Sequence, residues 1–190
     1  MKQLNDTKTA ILDEAQDMVQ RQSISGVSFQ ELANRVGIKK GSMYYHFESK
    51  DDLTVAILQR AISDLNSSFR RGEGKSPTKQ LNYFFEIYSK FIEPGKRLCP
   101  GGASACEWGK LSTPVRGQIS GLIEAQIKGL TKIIASGIKS GEFNSHGEEP
   151  KKLASWVTSS IQGALLTSRV FEDSKMFEQT AEIVISYLTK

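Results

Sequence analysis

Apolar residues recur along this chain at intervals of three and four, and almost nowhere do they alternate with polar ones. Ile11, Leu12, Ala15, Met18 and Val19 mark one face of a first helix predicted over about 5–22. The polar stretch Ser-Ile-Ser-Gly-Val interrupts it. Ser28-Phe-Gln-Glu31 then has the form of a capping box, in which the serine accepts from the amide of Glu31 and the glutamate reaches back. It opens a short helix with Leu32, Ala33 and Val36 inward, and Gly37 stands where a left-handed residue ends a helix. A third short helix is predicted from Lys40 to Tyr45. Ser49-Lys-Asp-Asp52 is a further start signal, for a longer helix with Leu53, Ile57, Ala61, Leu65 and Phe69 on one stripe.

The second half repeats the pattern. Ser76-Pro77 caps and starts a helix to about residue 93, rich in aromatics: Tyr83, Phe84, Phe85, Tyr88 and Phe91. Pro-Gly-Lys-Arg-Leu-Cys-Pro-Gly-Gly reads as a loop, followed by a short helix over about 103–111. Thr113-Pro114 opens the longest helix, to about Ser140, with Ile119, Leu122, Ile123, Ile127, Leu130, Ile133, Ile134 and Ile138 on its stripe. Two more are predicted over about 151–171 and 175–188. With no β-pattern in sight, the expected fold is all-α, with about nine helices.

Composition narrows the function. A chain of 190 residues suffices for one or two small domains with a sizeable core. Its net charge of +4 is compatible with a polyanionic partner without demanding one. No run of about 18 apolar residues exists, and acidic residues stand near the N-terminus where a signal peptide needs an apolar core. A cytoplasmic protein with no membrane partner is expected. Two cysteines form no disulfide framework, and His46 and His146 stand in no metal-ligand spacing. Neither a metal nor a cofactor is expected. Nor is enzymatic activity, because no Ser-His-Asp set, phosphate loop or paired carboxylates appear.

The chemistry concentrates between Asn34 and Leu53. Two short helices joined by a glycine-containing turn are the helix-turn-helix pattern, whose second helix presents its N-terminal residues to the major groove. Lys39 and Lys40 sit at that helix start, where the helix dipole also favours phosphate. Gly41 leaves room for backbone approach, and Ser42, Tyr44 and Tyr45 offer hydroxyls. Charge alone does not decide the matter. Residues 1–48 hold six Lys/Arg and six Asp/Glu, although Arg35, Lys39, Lys40 and Lys50 gather around the proposed recognition helix.

The residues Ser28, Leu32-Ala33, Gly37-Ile38, Lys40-Gly41-Ser42-Met43-Tyr44-Tyr45-His46-Phe47, Ser49-Lys50-Asp51 and Leu53 closely resemble the DNA-binding domain of TetR-family transcriptional regulators. The resemblance covers about residues 7–58. Lys39 departs from it, since the family more often caps there with serine or threonine. The resemblance implies a homodimer on a palindromic double-stranded DNA operator. Lys40, Ser42, Tyr44, Tyr45 and His46 would make recognition-helix contacts. Ser28 and Gln30 would touch the DNA backbone, and Lys50 would reach phosphate. The domains expected are a three-helix DNA-binding domain over 1–48, extending into the next helix, and an effector-binding and dimerisation domain over 49–190.

Cys99-Pro100, Gly102 and Glu107 resemble a Cys-Pro-x-Gly-x-x-x-x-Glu segment of some TetR branches, where it borders the ligand cavity. Ligand pockets in bundles are lined by aromatics such as those nearby, so Tyr88, Phe91 and Trp108, with Cys99 and Cys106, are candidate effector contacts or sensors, for a small molecule of unknown identity. Two ordinary buried thiols remain an open reading of the cysteines, and the aromatics are equally at home in a core. Gly117-x-x-x-Gly121 suggests close helix packing or room for a ligand. For the last two helices the resemblance implies a four-helix dimer interface, with Trp156, Ser160, Ile161, Ala164, Phe177, Ala181 and Val184 as candidates. The alternative is that these helices only close the monomer core. The expected function is a ligand- or redox-responsive regulator, a repressor; an activator or co-repressor-dependent regulator of the same fold, or an all-α enzyme, are the alternatives.

Overall fold

The computed structural model describes residues 2–92 and 96–189, with the backbone alone at 2–5, 90 and 91. The regular elements among the described residues are all helices, without strands. In chain order the helices are α1 (Lys2–Gln22), α2 (Phe29–Val36), α3 (Lys40–Met43), α4 (Lys50–Gly72), α5 (Pro77–Ile92), α6 (Pro100–Ala105), α7 (Thr113–Ser140), α8 (Pro150–Phe171) and α9 (Lys175–Thr189), with a 3-10 turn at Trp108–Lys110. They form two compact units. One comprises residues 1–61 and 99–122, the other 62–98 and 123–190. The first compact unit runs beyond residue 48. Residues 99–122 return to the N-terminal unit, and α4 and α7 each supply both units.

In the first unit, Ile11, Ala15, Met18 and Val19 of α1 meet Leu32, Ala33, Met43, Phe47, Leu53 and Ile57 in a buried core. The local signals act largely as the sequence dictates. Ser28 Oγ accepts from the Glu31 amide at 3.1 Å, and Gly37 ends α2 at φ 76°. Only half of the capping box forms, because Glu31 turns instead to Arg35 at 2.8 Å. Ser49 Oγ accepts from the Asp52 amide at 3.1 Å and donates to its carboxylate at 2.8 Å. Arg60 ties α4 to α1, donating to Asp13 at 2.6 Å, the Leu12 carbonyl at 2.8 Å and Gln16 at 2.7 Å.

Two expectations need correction here. The third helix ends at Met43, and Tyr44 caps it. The short helix expected over 103–111 is instead α6, which begins at Pro100 with Cys99 as its N-cap. Proline needs no amide partner in a first turn, and Gly101, Ala103 and Ser104 are buried there. Cys106 is thus at the end of a helix, not near its start.

In the second unit the core is built from Leu81, Phe84, Phe85 and Tyr88 of α5, Leu130 and Ile134 of α7, Val157, Ile161 and Leu165 of α8, and Phe177, Val184 and Leu188 of α9. Phe143, after α7, lies against Gly137, where an added Cβ would stand 2.1 Å from its ring. The Phe143 amide donates to Gly137 O at 3.0 Å, and the Asn144 amide to Leu188 O at 2.7 Å. Glu142 caps the start of α5, accepting from the Thr78 amide at 3.1 Å and its hydroxyl at 2.8 Å.

Candidate nucleic-acid interface

Met43, fully buried, anchors the four-residue α3 to the core. That leaves the rest of the helix outward. Lys39, Lys40, Gly41, Tyr44 and Tyr45 are exposed, while Ser42 and His46 are half-buried. Tyr45 is the extreme, with 85% of its surface open. Tyr44 rests edge-on against Phe29 of α2, with ring centroids 5.3 Å apart. Its ring is steadied while more than half of the residue's surface stays open. An open groove beside it is lined by Ser28, Gln30, Lys40, Tyr44, Ser49 and Lys50, among others. Five of the ten residues expected from sequence to meet DNA are thereby brought to one groove. Gln30 is pre-set by a 3.1 Å hydrogen bond to Asn34 on the same helix. Arg35, by contrast, is engaged by Glu31 at 2.8 Å and Glu14 at 3.7 Å, so its charge is already matched.

Lys50 is held from behind. It is half-buried, and its Nζ donates to the Ser25 carbonyl at 3.3 Å. Burial lowers its pKa, against the raising influence of Glu107 and Asp51. Glu107 accepts from the Ser25 amide at 3.1 Å and from its hydroxyl at 2.6 Å. Burial alone would raise this carboxyl, but the two hydrogen bonds from Ser25, with the charge of Lys110, hold it below the usual range. The sequence reading used Glu107 as part of a motif and assigned it no contact. Its partner lies 82 residues away, and no local signal announces it.

The candidate effector residues separate. Tyr88 is buried in the second unit, and its hydroxyl accepts from Gln126 Nε2 at 2.7 Å. Gln162 donates in turn to Gln126 Oε1 at 3.4 Å. The Tyr88 ring meets Phe84 at 5.0 Å and Phe177 at 6.2 Å. Gln126 escaped the sequence reading, though a glutamine midway between Leu122 and Leu130 on an apolar stripe was a usable sign. The Phe91 side chain lies outside the described residues. Cys99, Cys106 and Trp108 belong to the first unit. Cys99 is buried, Cys106 is exposed, and both are free thiols. Trp108 is exposed, with the Arg116 guanidinium 5.8 Å from its ring centre.

Most of the expected dimer residues face the other way. Ile161, Ala164, Phe177, Ala181 and Val184 are buried in the protomer's own core. Helical spacing identifies an apolar stripe but not what covers it. The outward apolar residues of α8 and α9 are Trp156, Leu166, Val170, Phe171, Met176, Ile183 and Tyr187. Of the other two candidates, Trp156 is exposed and Ser160 is half-buried.

Among the described residues no group of His, Cys, Asp and Glu is arranged to hold a metal, and no helix is long and apolar enough to cross a membrane. A short helix and turn that presents exposed lysines and tyrosines as the second element of a helix-turn-helix is what a DNA-binding regulator of that class offers to the major groove. Comparison with known proteins makes the class specific. The model for bacterial regulatory proteins of the tetR family matches residues 11–57, and that for the tetracyclin repressor-like C-terminal domain matches residues 77–184. The HTH-type transcriptional repressor DhaR of Mycobacterium sp. (strain GP1) is 30% identical over 168 residues, covering 86% of this chain and 83% of DhaR. The HTH-type transcriptional repressor NemR of Escherichia coli (strain K12) is 27% identical over 135 residues, covering 69% and 65%. A TetR-family regulator from Agrobacterium tumefaciens has the same fold, with a TM-score of 0.91 at 21% identity over 98% of this chain and 99% of that one. Reduced E. coli NemR also shares it, with a TM-score of 0.82 at 22% identity over 97% and 98%. The chain belongs to the TetR family of transcriptional regulators, and the proteins it matches are regulators rather than enzymes.

Proposed function

We propose that the chain is a repressor that binds a palindromic operator as a homodimer and lets go when a small molecule acts on its second unit. The groove that gathers Ser28, Gln30, Lys40, Tyr44 and Lys50 carries this reading. Lys39 and Lys40 offer charge to phosphate. Ser28, Gln30 and Tyr44 offer hydrogen bonds, and Ser42, Tyr45 and His46 lie on the turn that enters the major groove. Gly41 supports this reading, because an added Cβ there would meet nothing within 4 Å. Both DhaR and NemR are named repressors, which favours repression over activation.

A dimer supplies the second recognition turn that a palindrome requires. Its two copies pair through the outward face of α8 and α9, where Trp156, Leu166, Val170, Ile183 and Tyr187 stand exposed. A two-fold interface of this kind needs only one self-complementary patch. The effector is read at Tyr88, Gln126 and Gln162, a short line of polar groups among aromatic rings. Tyr88 and Gln126 are buried, so an effector enters by parting the side chains packed around them, and these polar groups fix its orientation. The effector must favour the released state by differential affinity, since equal affinity for both states shifts nothing. An electrophile reaching the chain from solvent meets Cys106 before the buried Cys99. The protein works in the cytoplasm, where its DNA is.

The test is fluorescence anisotropy on DNA from the chain's own upstream region, with scrambled DNA as control. Selective binding that weakens by about three or more decades between 50 and 200 mM salt is expected for six to ten phosphate contacts. Lys40→Ala should weaken it further at every salt concentration. Equal binding to both DNAs, or an unaffected Lys40→Ala variant, would count against the proposal.

A further inference from the structure

One polar chain in the first unit has no part in the recognition turn itself. Glu107, between α6 and the 3-10 turn, accepts two hydrogen bonds from Ser25, at 3.1 and 2.6 Å. Ser25 lies in the turn between α1 and α2. That turn is tight: Ser23 takes φ 68°, and Gln22 donates across it to Gly26 O at 3.1 Å. The Ser25 carbonyl in turn accepts from Lys50 at 3.3 Å. Lys50 is the first residue of α4 and lines the groove with Ser28, Gln30, Lys40 and Tyr44.

An ammonium group has three N–H donors. One is committed to Ser25, which leaves two for a ligand in the groove. A lysine held in this way has less rotamer freedom to lose when it meets a phosphate.

We propose that Glu107 is a positioning residue for DNA binding: by fixing Ser25 it holds the Lys50 ammonium at the groove, so the segment after α6 sets DNA affinity without touching DNA. The inference rests on the DNA-binding reading above. It also reverses the sign that charge alone predicts. Removing a carboxylate close to a DNA-binding surface should, by long-range electrostatics, strengthen binding to a polyanion. Removing this one should weaken it.

The experiment measures operator affinity of the full chain by anisotropy between 50 and 200 mM salt, for the parent, Glu107→Ala, Glu107→Gln, Lys50→Ala and the Glu107→Ala/Lys50→Ala pair. Glu107→Ala is expected to bind roughly three- to tenfold more weakly, with a salt slope shallower by about one, the signature of one lost phosphate contact. A purely structural role would not change that slope. Glu107→Gln, which keeps an acceptor for the Ser25 amide, should recover much of the loss. The double variant should bind no worse than Lys50→Ala, because the two residues act through one contact.

Binding by Glu107→Ala equal to or tighter than the parent overturns the proposal. So does a double variant whose loss is the product of the single losses. Circular dichroism melts establish that each variant is folded at the assay temperature. Should Glu107→Ala fail to fold, Ser25→Ala, which deletes the 2.6 Å hydrogen bond alone, takes its place in the same cycle under the same criteria. A parent chain without selective DNA binding overturns the underlying reading and this inference together; a selective parent with an indifferent Glu107 overturns this inference alone.

Discussion

Two glycines of α7 should respond in opposite directions to the same substitution. At Gly117 an added Cβ meets nothing within 4 Å. Alanine there gains only helix propensity, about 0.8–1.0 kcal/mol. At Gly137 the added Cβ would stand 2.1 Å from Phe143 Cδ2 and 2.5 Å from Cγ, where carbon pairs settle at about 3.5–4.0 Å. The ring must retreat by more than about 1 Å. Its backbone cannot readily follow, because the Phe143 amide is bonded to Gly137 O and the next amide to Leu188 O. Overpacking of this kind costs about 1–3 kcal/mol, and forcing the buried ring outward costs about as much. After the propensity gain, Gly137→Ala should be less stable than the parent by up to about 2 kcal/mol. The two variants then differ by about 1–3 kcal/mol, or about 2–12 °C in Tm for a chain of this size. Calorimetric melts at one fixed protein concentration give the comparison, since dimerisation makes Tm depend on concentration. Shifts of the same sign in both variants would refute the packing argument.

Other consequences are open to direct measurement. Tyr88→Phe strands the Gln126 amide in the core and should lower stability by about 1–3 kcal/mol, while Gln126→Leu added to it should restore much of the loss; urea titration of the three variants decides, and an unchanged Tyr88→Phe contradicts the assignment. A maleimide should label native protein once, at Cys106, and label Cys99 only after unfolding; intact mass of the parent and of Cys106→Ser reads this, and rapid double labelling of the native chain would contradict it. Glu107 and Glu142 both have carboxyls held below their ordinary range, Glu142 by the Thr78 amide and hydroxyl. Their folded pKa values lie below the unfolded ones, so their stabilisation is fully present above the ordinary glutamate value of about 4.3. It is lost as pH falls through the folded values. Glu142→Gln should therefore flatten the acid limb of the stability–pH curve, and a limb identical to the parent's would remove Glu142 from that account.

What the sequence made legible was whatever nearest neighbours determine. Ser28, Gly37 and Ser49 act within four residues of themselves, and each does what its residue type dictates. The motif from Lys40 to Phe47 was equally plain, because its chemistry is packed into one turn. Pro100-Gly101-Gly102 misled because glycine's poor helix propensity speaks for a loop, whereas α6 is held by burial of Gly101, Ala103 and Ser104. Residues of α8 and α9 misled for another reason. A 3.6-residue period is the same whether a stripe is covered by its own chain or by a second copy. The link from Glu107 to Ser25 had no sequence signal, since neither residue's neighbours require the other. Gln126 carries one, a polar residue set on the apolar stripe of α7.

The return of residues 99–122 to the N-terminal unit bears on how such regulators can be recombined. A chimeric sensor made with one crossover after residue 48 would keep the recognition turn of one parent and take Glu107 from the other. Its Ser25 would then face a carboxylate from a foreign segment, or none. Three junctions, after residues 61, 98 and 122, keep the compact unit whole. Grafts cut at those points should retain the operator preference of the head donor, whereas single-crossover grafts would need their turns mended afterwards.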